Sequence, residues 1–182
     1  TLVIHLGGIG DFLLACPAIA YLHTQGPVEL LGNKSRLELA VAFGIADAAH
    51  DADAVDFSAI FSIPSQRLRS FLARYDRCIA WMRDVDGSIA STLRECGIHD
   101  VRTFPGLPPQ EFTGHVSEYY RKSVETPSSF QFRPKIDRFV HVRKTIIHPG
   151  SGGKCKNWPL DNFLSVAKYL ESKDQNVIRS EE

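Results

Sequence analysis

The chain has 182 residues, of which 43% are hydrophobic, so it can bury the core of one generous domain, or of one domain and part of another. Its 21 Lys and Arg balance 21 Asp and Glu, and the lack of net charge argues against nucleic acid as a partner and favours a small molecule. No apolar run approaches the ~20 residues of a membrane span and no signal peptide is visible, so a cytoplasmic protein is expected.

The four cysteines are scattered along the chain and form neither a CxxC pair nor a Cys/His cluster with zinc spacing. This pattern indicates reduced thiols in a reducing compartment. We therefore expect neither a disulfide framework nor a metal site.

The chain opens with a strand, a glycine turn and a helix. Thr1–Leu6 is apolar and β-branched, Gly7–Gly10 form the turn, and Phe12–Leu22 is an apolar helical stretch. A dinucleotide fingerprint GxGxxG is absent, because with Gly8 and Gly10 as its first two glycines the third position is leucine. The opening therefore predicts half of a βαβ unit without the usual dinucleotide motif.

Asp11 follows the glycine turn at the place where a helix N-cap is expected. Capping alone would explain the residue, although a capping carboxylate can also be catalytic. Pro17 lies too deep for a first-turn proline, so we expect a short or kinked first turn that leaves Asp11 at a sharp, exposed bend.

The middle of the chain repeats the alternation of strands and helices. Strands are predicted at Val28–Leu31, Ala54–Phe57, Arg77–Trp81 and Val101–Phe104. Helices are predicted at Ser35–Phe43 with Leu37, Ala40 and Val41 inward, at Leu68–Tyr75, and at Ser88–Cys96, with Gly44 and Gly97 as stops. This spacing indicates a largely parallel, doubly wound sheet, and ligands of such sheets bind beyond the carboxyl ends of the strands.

Residues 105–109 interrupt the alternation with three prolines and a glycine, and a helix is predicted at His115–Glu125. Residues 126–143 have no clear period and contain Pro127 and Pro134, which is typical of a connection between domains. Lys144 then begins a new strand–loop–helix unit that ends after Asn176–Ile178. Since such a unit cannot bury its sheet faces alone, the chain resembles one whole domain plus the opening of a second.

The loop of this last unit, HPGSGGKCKNWP at residues 148–159, is rich in glycine and lysine. Its backbone N–H groups would point toward the start of a helix and favour an anion there, with Lys154 and Lys156 adding positive charge. A tight βα turn with solvated lysines is an equally open interpretation. The spacing fits neither a Walker A loop nor the dinucleotide fingerprint.

GGIGDFLLACPAIAYL near the start and HPGSGGKCKNWPLDNFLSVAKYL near the end together resemble the lipopolysaccharide heptosyltransferases of glycosyltransferase family 9. The resemblance implies a GT-B α/β fold with two Rossmann-like domains, of which this chain has one complete domain with a parallel sheet and the start of the second. On this basis we expect an acceptor-side domain at 1–125, a linker at 126–143 and the beginning of a nucleotide-sugar-binding domain at 144–182.

The resemblance also implies site residues. Asp11 would be the general base that takes the proton of an acceptor hydroxyl, and Gly8 and Gly10 would leave room for the acceptor. His115 lies where related sequences can have a histidine near the acceptor, although a structural role is favoured for it. The donor diphosphate would be held by the group Ser151, Gly152, Lys154 and Lys156, in which Lys156 matches the family's lysine best.

The implied function is an inverting, metal-independent transfer of a heptose-like sugar from an ADP-sugar to a lipopolysaccharide core or related glycan, with no cofactor. Membrane association, if any, would be peripheral and through the acceptor. Two alternatives stay open. The chain could be a non-catalytic acceptor- or anion-binding fragment, or another Rossmann-like nucleotide-dependent enzyme, which the missing third glycine disfavours.

Overall fold

The structure, a computed structural model, describes residues 1–135, 144–150 and 157–179. The chain forms two compact units, Thr1–Ile136 and Asp137–Glu182. The predicted domain boundaries at 125 and 144 stay a prediction.

The first unit is built on a five-stranded sheet in which every neighbouring pair is parallel. The strands are β1 (Leu2–His5), β2 (Glu29–Gly32), β3 (Ala48–Asp51), β4 (Arg77–Trp81) and β5 (Asp100–Phe104), in the spatial order β3-β2-β1-β4-β5. β1 lies at the centre, where His5 is in register with Gly32 on one side and Trp81 on the other. The predicted α/β class with a parallel sheet is confirmed.

Helices cover both faces of this sheet. They are α1 (Ile9–Thr24), α2 (Lys34–Ala42), α3 (Gln66–Leu72), α4 (Ser88–Glu95) and α5 (Val116–Ser123), with a 3₁₀ turn at Phe57–Phe61. Because side chains alternate along a strand, Ile4 joins the core beneath α3 and α4 while Val3 joins the core beneath α1, α2 and α5. Burial on both faces explains the almost uniformly apolar β1.

Local side-chain chemistry sets several helix ends. Asn33 and Ser65 accept hydrogen bonds from backbone N–H groups at the starts of α2 and α3. Gly44, with φ +68°, and Gly97, with φ +103°, follow α2 and α4 in the left-handed conformation that glycine adopts readily. The predicted stops at these two glycines are confirmed.

The start of α1 differs from the prediction. Gly8 occupies the N-cap position, and Asp11 is the third residue of the helix rather than its cap. α1 also continues through Pro17 to Thr24, so the short first turn and the bend expected at Asp11 are wrong, while a kink stays a prediction. Pro17 has no N–H to donate to the carbonyl of Leu13, but Leu13 is 44% exposed, so water can serve as the donor there.

Two further predictions in the first unit are wrong. The edge strand is β3, not Ala54–Phe57, because Asp56 has φ +59° and belongs to the turn that follows the strand. β3 pairs with β2 alone and includes His50, so its half-buried, partly polar sequence lacks a strong strand signal. Val41 is 37% exposed, since the inward face of α2 consists of Leu37 and Ala40.

Glu29, at the start of β2, joins three elements of the first unit. Its Oε2 accepts hydrogen bonds from His50 Nε2 at 2.6 Å, from Arg74 Nη2 at 3.2 Å and from the hydroxyl of Tyr75. Partial burial alone would raise the pKa of Glu29, but these partners hold it below its usual value. Glu29 therefore fixes β2 to β3 and to the segment before β4.

Residues 126–135, the described part of the predicted linker, have no regular secondary structure. The Arg121 guanidinium on α5 donates to the carbonyls of Pro127 at 2.9 Å and Phe130 at 3.1 Å. The ring of Phe130 meets Tyr21 of α1 edge-on, with centroids 5.5 Å apart. This part of the segment therefore belongs to the first unit, where it packs against α1 and α5.

In the second unit, β6 (Lys144–Ile147), α6 (Leu160–Glu171) and β7 (Asn176–Arg179) form a βαβ unit with a parallel strand pair. Ala167 is the one fully buried hydrophobic residue among those described here, whereas Ile146 is 67% and Tyr169 63% exposed. Large hydrophobic side chains of both β6 and α6 are therefore open to solvent.

Candidate active site

A cavity of about 760 Å³ opens at the carboxyl ends of β1, β4 and β5. The strand order reverses here: β2 and β3 follow β1 on one side of it, whereas β4 and β5 lie on its other side. Open α/β sheets bind ligands at such a switch point. The residues lining it are His5, Gly7, Asp11, Trp81, Arg83 and the loop Pro105–Glu111.

Asp11 reaches the cavity from the first turn of α1. Gly8 is extended, with φ −64° and ψ 167°, and its carbonyl accepts from the Phe12 N–H at 3.0 Å, which begins the helix. The half-buried Asp11 carboxylate lies at the positive end of the helix dipole, which favours a negative charge there. The helix start therefore places a carboxylate at the cavity wall.

His5, the last residue of β1, lies beside this carboxylate and is only 3% exposed. Its ring packs against Phe12, Tyr120 and Trp81, with centroid distances of 5.5, 6.0 and 6.3 Å. Burial lowers the pKa of His5 to about 4, although the nearby Asp11 charge opposes this shift. The imidazole is therefore neutral near pH 7.

Gly7 lies close to the side chains of both His5 and Asp11. A Cβ on Gly7 would lie 2.9 Å from Cε1 of His5 and 3.5 Å from Oδ2 of Asp11. Arg36 Nη1 donates to the Gly7 carbonyl at 3.2 Å and ties the turn to α2. The close approach of the turn to the histidine ring therefore requires glycine at this position.

The loop Pro105–Glu111 forms the opposite wall and is held by α5. The hydroxyl of Tyr119 donates to the Pro105 carbonyl at 2.8 Å, and that of Tyr120 donates to the Gly106 carbonyl. Burial raises the pKa of Tyr120 to about 12, with a further contribution from the Asp11 charge, so its hydroxyl stays protonated and donates. Two tyrosines therefore fix the start of this loop.

Trp81 completes the floor at the end of β4. Its Nε1 donates to Ser123 Oγ at 3.0 Å, and its ring meets Tyr120 edge-on at 5.0 Å. At the rim, Arg83 and Glu111 are exposed, and Arg83 has no hydrogen bond or ion pair to any residue that the structure describes. The cavity thus combines an aromatic and proline-rich surface with a few charged groups, which suits a polar ligand that has apolar faces.

The structure brings together some of the predicted site residues and not others. Asp11, Gly8 and Gly10 lie together at the start of α1, and a Cβ on Gly10 would meet no atom within 4 Å. His115 is the N-cap of α5, where its Nδ1 accepts from the Ser117 N–H at 3.3 Å, and it does not line the cavity. The donor-side residues Ser151, Gly152, Lys154 and Lys156 lie outside the described residues.

Sequence reasoning did not identify His5, Trp81 or the loop Pro105–Glu111 as site residues. They could have been found from the rule that ligands bind at the carboxyl ends of parallel strands, because this rule makes the last residue of each predicted strand a candidate. His5 and Trp81 satisfy it, since each ends its strand.

Within residues 1–135, 144–150 and 157–179, no group of three or more His, Cys, Asp or Glu could hold a metal ion. No helix in these ranges combines the length and the apolar character that crossing a bilayer requires.

Comparison with models of known protein families finds no match, and comparison with curated protein sequences also finds none. Solved structures do match. Escherichia coli ADP-heptose lipopolysaccharide heptosyltransferase II has a TM-score of 0.69 at 14% identity, over 98% of this chain and 63% of that chain. E. coli heptosyltransferase WaaC with ADP has a TM-score of 0.66 at 10% identity, over 99% of this chain and 66% of that chain.

A second E. coli WaaC structure, with ADP-2-deoxy-2-fluoro heptose, has a TM-score of 0.64 at 10% identity, over 100% of this chain and 68% of that chain. The chain thus spans about two-thirds of the length of the structures that it matches. At these identities the likeness establishes the fold alone. The chain has the mixed α/β, Rossmann-like architecture of the GT-B heptosyltransferases.

Proposed function

We propose that the chain is part of an inverting glycosyltransferase that moves a heptose-like sugar from an ADP-sugar to a lipopolysaccharide core or related glycan. The fold likeness to proteins named as heptosyltransferases supports this, as do the ADP and the ADP-sugar analogue in the names of two of those structures. Association with a membrane would be peripheral and through the acceptor.

The observation that carries the proposal is the position of Asp11, whose carboxylate joins the cavity wall at the switch point of the sheet. In the proposed reaction Asp11 accepts the proton of an acceptor hydroxyl while that oxygen attacks the anomeric carbon of the donor. The new C–O bond forms as the bond to the diphosphate breaks, ADP leaves, and the configuration at that carbon is inverted.

The donor side of the proposal rests on the sequence. Ser151, Gly152, Lys154 and Lys156 would supply N–H groups and positive charge to the diphosphate, whose negative charge grows as it departs. No metal is assigned a role in this scheme. Gly8 and Gly10 would leave space for the acceptor beside Asp11.

Replacing Asp11 by Asn tests the base. The amide has nearly the shape of the carboxylate but cannot take a proton, so sugar transfer to a lipopolysaccharide core oligosaccharide should fall about 10²- to 10⁴-fold. ADP affinity, measured by calorimetric titration, should be unchanged, because Asp11 is assigned to the acceptor. Glu38→Gln is the matched control, since Glu38 is 58% exposed on α2 and does not line the cavity.

Transfer at the normal rate by Asp11→Asn would refute the assignment of the base. If the full-length protein that contains this chain binds the oligosaccharide but transfers no sugar to it, it is a binding protein and the transfer proposal fails.

A further inference from the structure

His5 contains a polar atom that the described structure leaves unsatisfied. Nδ1 is buried and makes no hydrogen bond of normal geometry to a described residue, only a contact with the backbone of His5 itself, while the residue as a whole is 97% removed from solvent. An unpaired buried polar group is destabilising, and native structures contain few of them. A phenylalanine could make the same ring contacts without an unpaired nitrogen, so packing alone does not explain a histidine here.

The position of the ring offers a different explanation. His5 lines the cavity, and its Cε1 and the Oδ2 of Asp11 both lie within 3.5 Å of one point, the place of a Cβ on Gly7. Cε1 of His5 and Oδ2 of Asp11 are therefore within about 6.4 Å of each other, with Gly7 between them. At this separation, two neighbouring hydroxyls of one ligand can reach Asp11 and His5 from the cavity.

The electrostatic surroundings determine the form in which His5 would act. Asp11 favours the protonated ring, but desolvation is the largest influence and keeps the imidazole neutral. A neutral imidazole has one N–H donor and one acceptor nitrogen. A sugar hydroxyl, which also donates and accepts, can pair with Nε2 in either tautomer, whereas the buried Nδ1 is not open to the cavity.

We propose that His5 is a second binding residue for the acceptor, with its neutral imidazole hydrogen-bonded to the hydroxyl next to the one that Asp11 deprotonates. The acceptor would then present two neighbouring hydroxyls, a diol, to the cavity floor. This inference rests on the proposed function, because it takes the ligand of the cavity to be the acceptor sugar. It assigns His5 to binding and leaves proton transfer to Asp11.

The test compares His5→Phe and His5→Gln with the unsubstituted chain, using deacylated lipopolysaccharide core oligosaccharide as the probe. For His5→Phe we expect about tenfold weaker binding by calorimetry, an increase in KM for the acceptor larger than the loss in kcat, and a melting temperature about 2–4 °C higher. His5→Gln retains a donor and an acceptor and should bind with intermediate affinity. The control is His23→Gln at the far end of α1, which should bind as the unsubstituted chain does.

Each outcome supports or overturns the inference. If the unsubstituted chain and His5→Phe bind the oligosaccharide equally well, His5 is not a binding residue, and the proposed function is unaffected. If His5→Phe melts at a lower temperature, the ring nitrogens have a structural role and the inference fails. If the unsubstituted chain does not bind the oligosaccharide, the inference and the proposed acceptor class fail together.

Discussion

Gly7 lies just before α1 and Gly10 lies in its first turn, yet alanine at the two positions should change stability in opposite directions. At Gly7 the new Cβ would lie 2.9 Å from a ring atom of His5. That ring cannot move away easily, because three aromatic neighbours surround it. Overpacking of this kind lowers the free energy of unfolding by about 1–3 kcal/mol.

At Gly10 the same methyl group meets no atom within 4 Å, and the residue is helical with an ordinary negative φ. Gly10→Ala should therefore raise the free energy of unfolding by about 0.4–1 kcal/mol, because alanine restricts the unfolded chain more than glycine does. The two variants should differ by about 1.5–4 kcal/mol.

Urea unfolding followed by tryptophan fluorescence can measure this difference. The chain has two tryptophans, so a Trp158→Phe background leaves Trp81, at the end of β4, as the reporter of the first unit. Shifts of the same sign and size for both alanine variants would refute the close contact between Gly7 and His5. In the same preparations, Gly10→Ala should lower sugar transfer despite its greater stability if Gly10 makes room for the acceptor.

Two further predictions concern the first unit. Glu29→Gln should lower the free energy of unfolding by about 1–2 kcal/mol near pH 7, because the hydrogen bonds from Tyr75 and His50 lose their charged acceptor. Since the pKa of Glu29 is lower in the folded state, this stabilisation is present above the unfolded-state pKa of about 4.3 and disappears as the pH falls through the folded-state pKa. Urea unfolding of both proteins at pH 7 and at pH 3 would show this loss. An equal difference in the free energy of unfolding at the two pH values would contradict the prediction. Tyr120→Phe removes the hydrogen bond to the Gly106 carbonyl, so we expect the free energy of unfolding to fall by about 0.5–1.5 kcal/mol and the core oligosaccharide to bind more weakly by calorimetry. Unchanged stability and binding would show that the loop does not depend on this tyrosine.

The fold was predictable where local signals and packing agree. β4 is an apolar run buried on both faces, and its bounds match the prediction, Arg77–Trp81. β3 was missed, because a partly buried edge strand lacks the regular pattern of apolar residues from which a strand is predicted. The first turn of α1 was expected to be short or kinked, because the sequence alone does not show that Leu13, whose carbonyl loses its hydrogen bond, is exposed.

The candidate site was predictable only in part, and for a different reason. Asp11 belongs to a local motif, so one stretch of sequence identifies it. His5, Trp81 and Pro105 are far apart in the chain and meet only because β1, β4 and β5 are neighbours in the sheet. Strand order, which individual segments do not encode, decides which strand ends share a cavity.

The two tyrosines of α5 fasten the cavity loop at its first two carbonyls, whereas its tip is open to solvent, with Leu107 56% exposed. Substitutions at exposed positions away from such anchors usually change stability by less than about 0.5 kcal/mol. Mutations in the tip can therefore accumulate without unfolding the domain, while the anchored base keeps the wall in place. In evolution, or in a library made by a protein engineer, this loop is where a new ligand preference could arise on an unchanged fold.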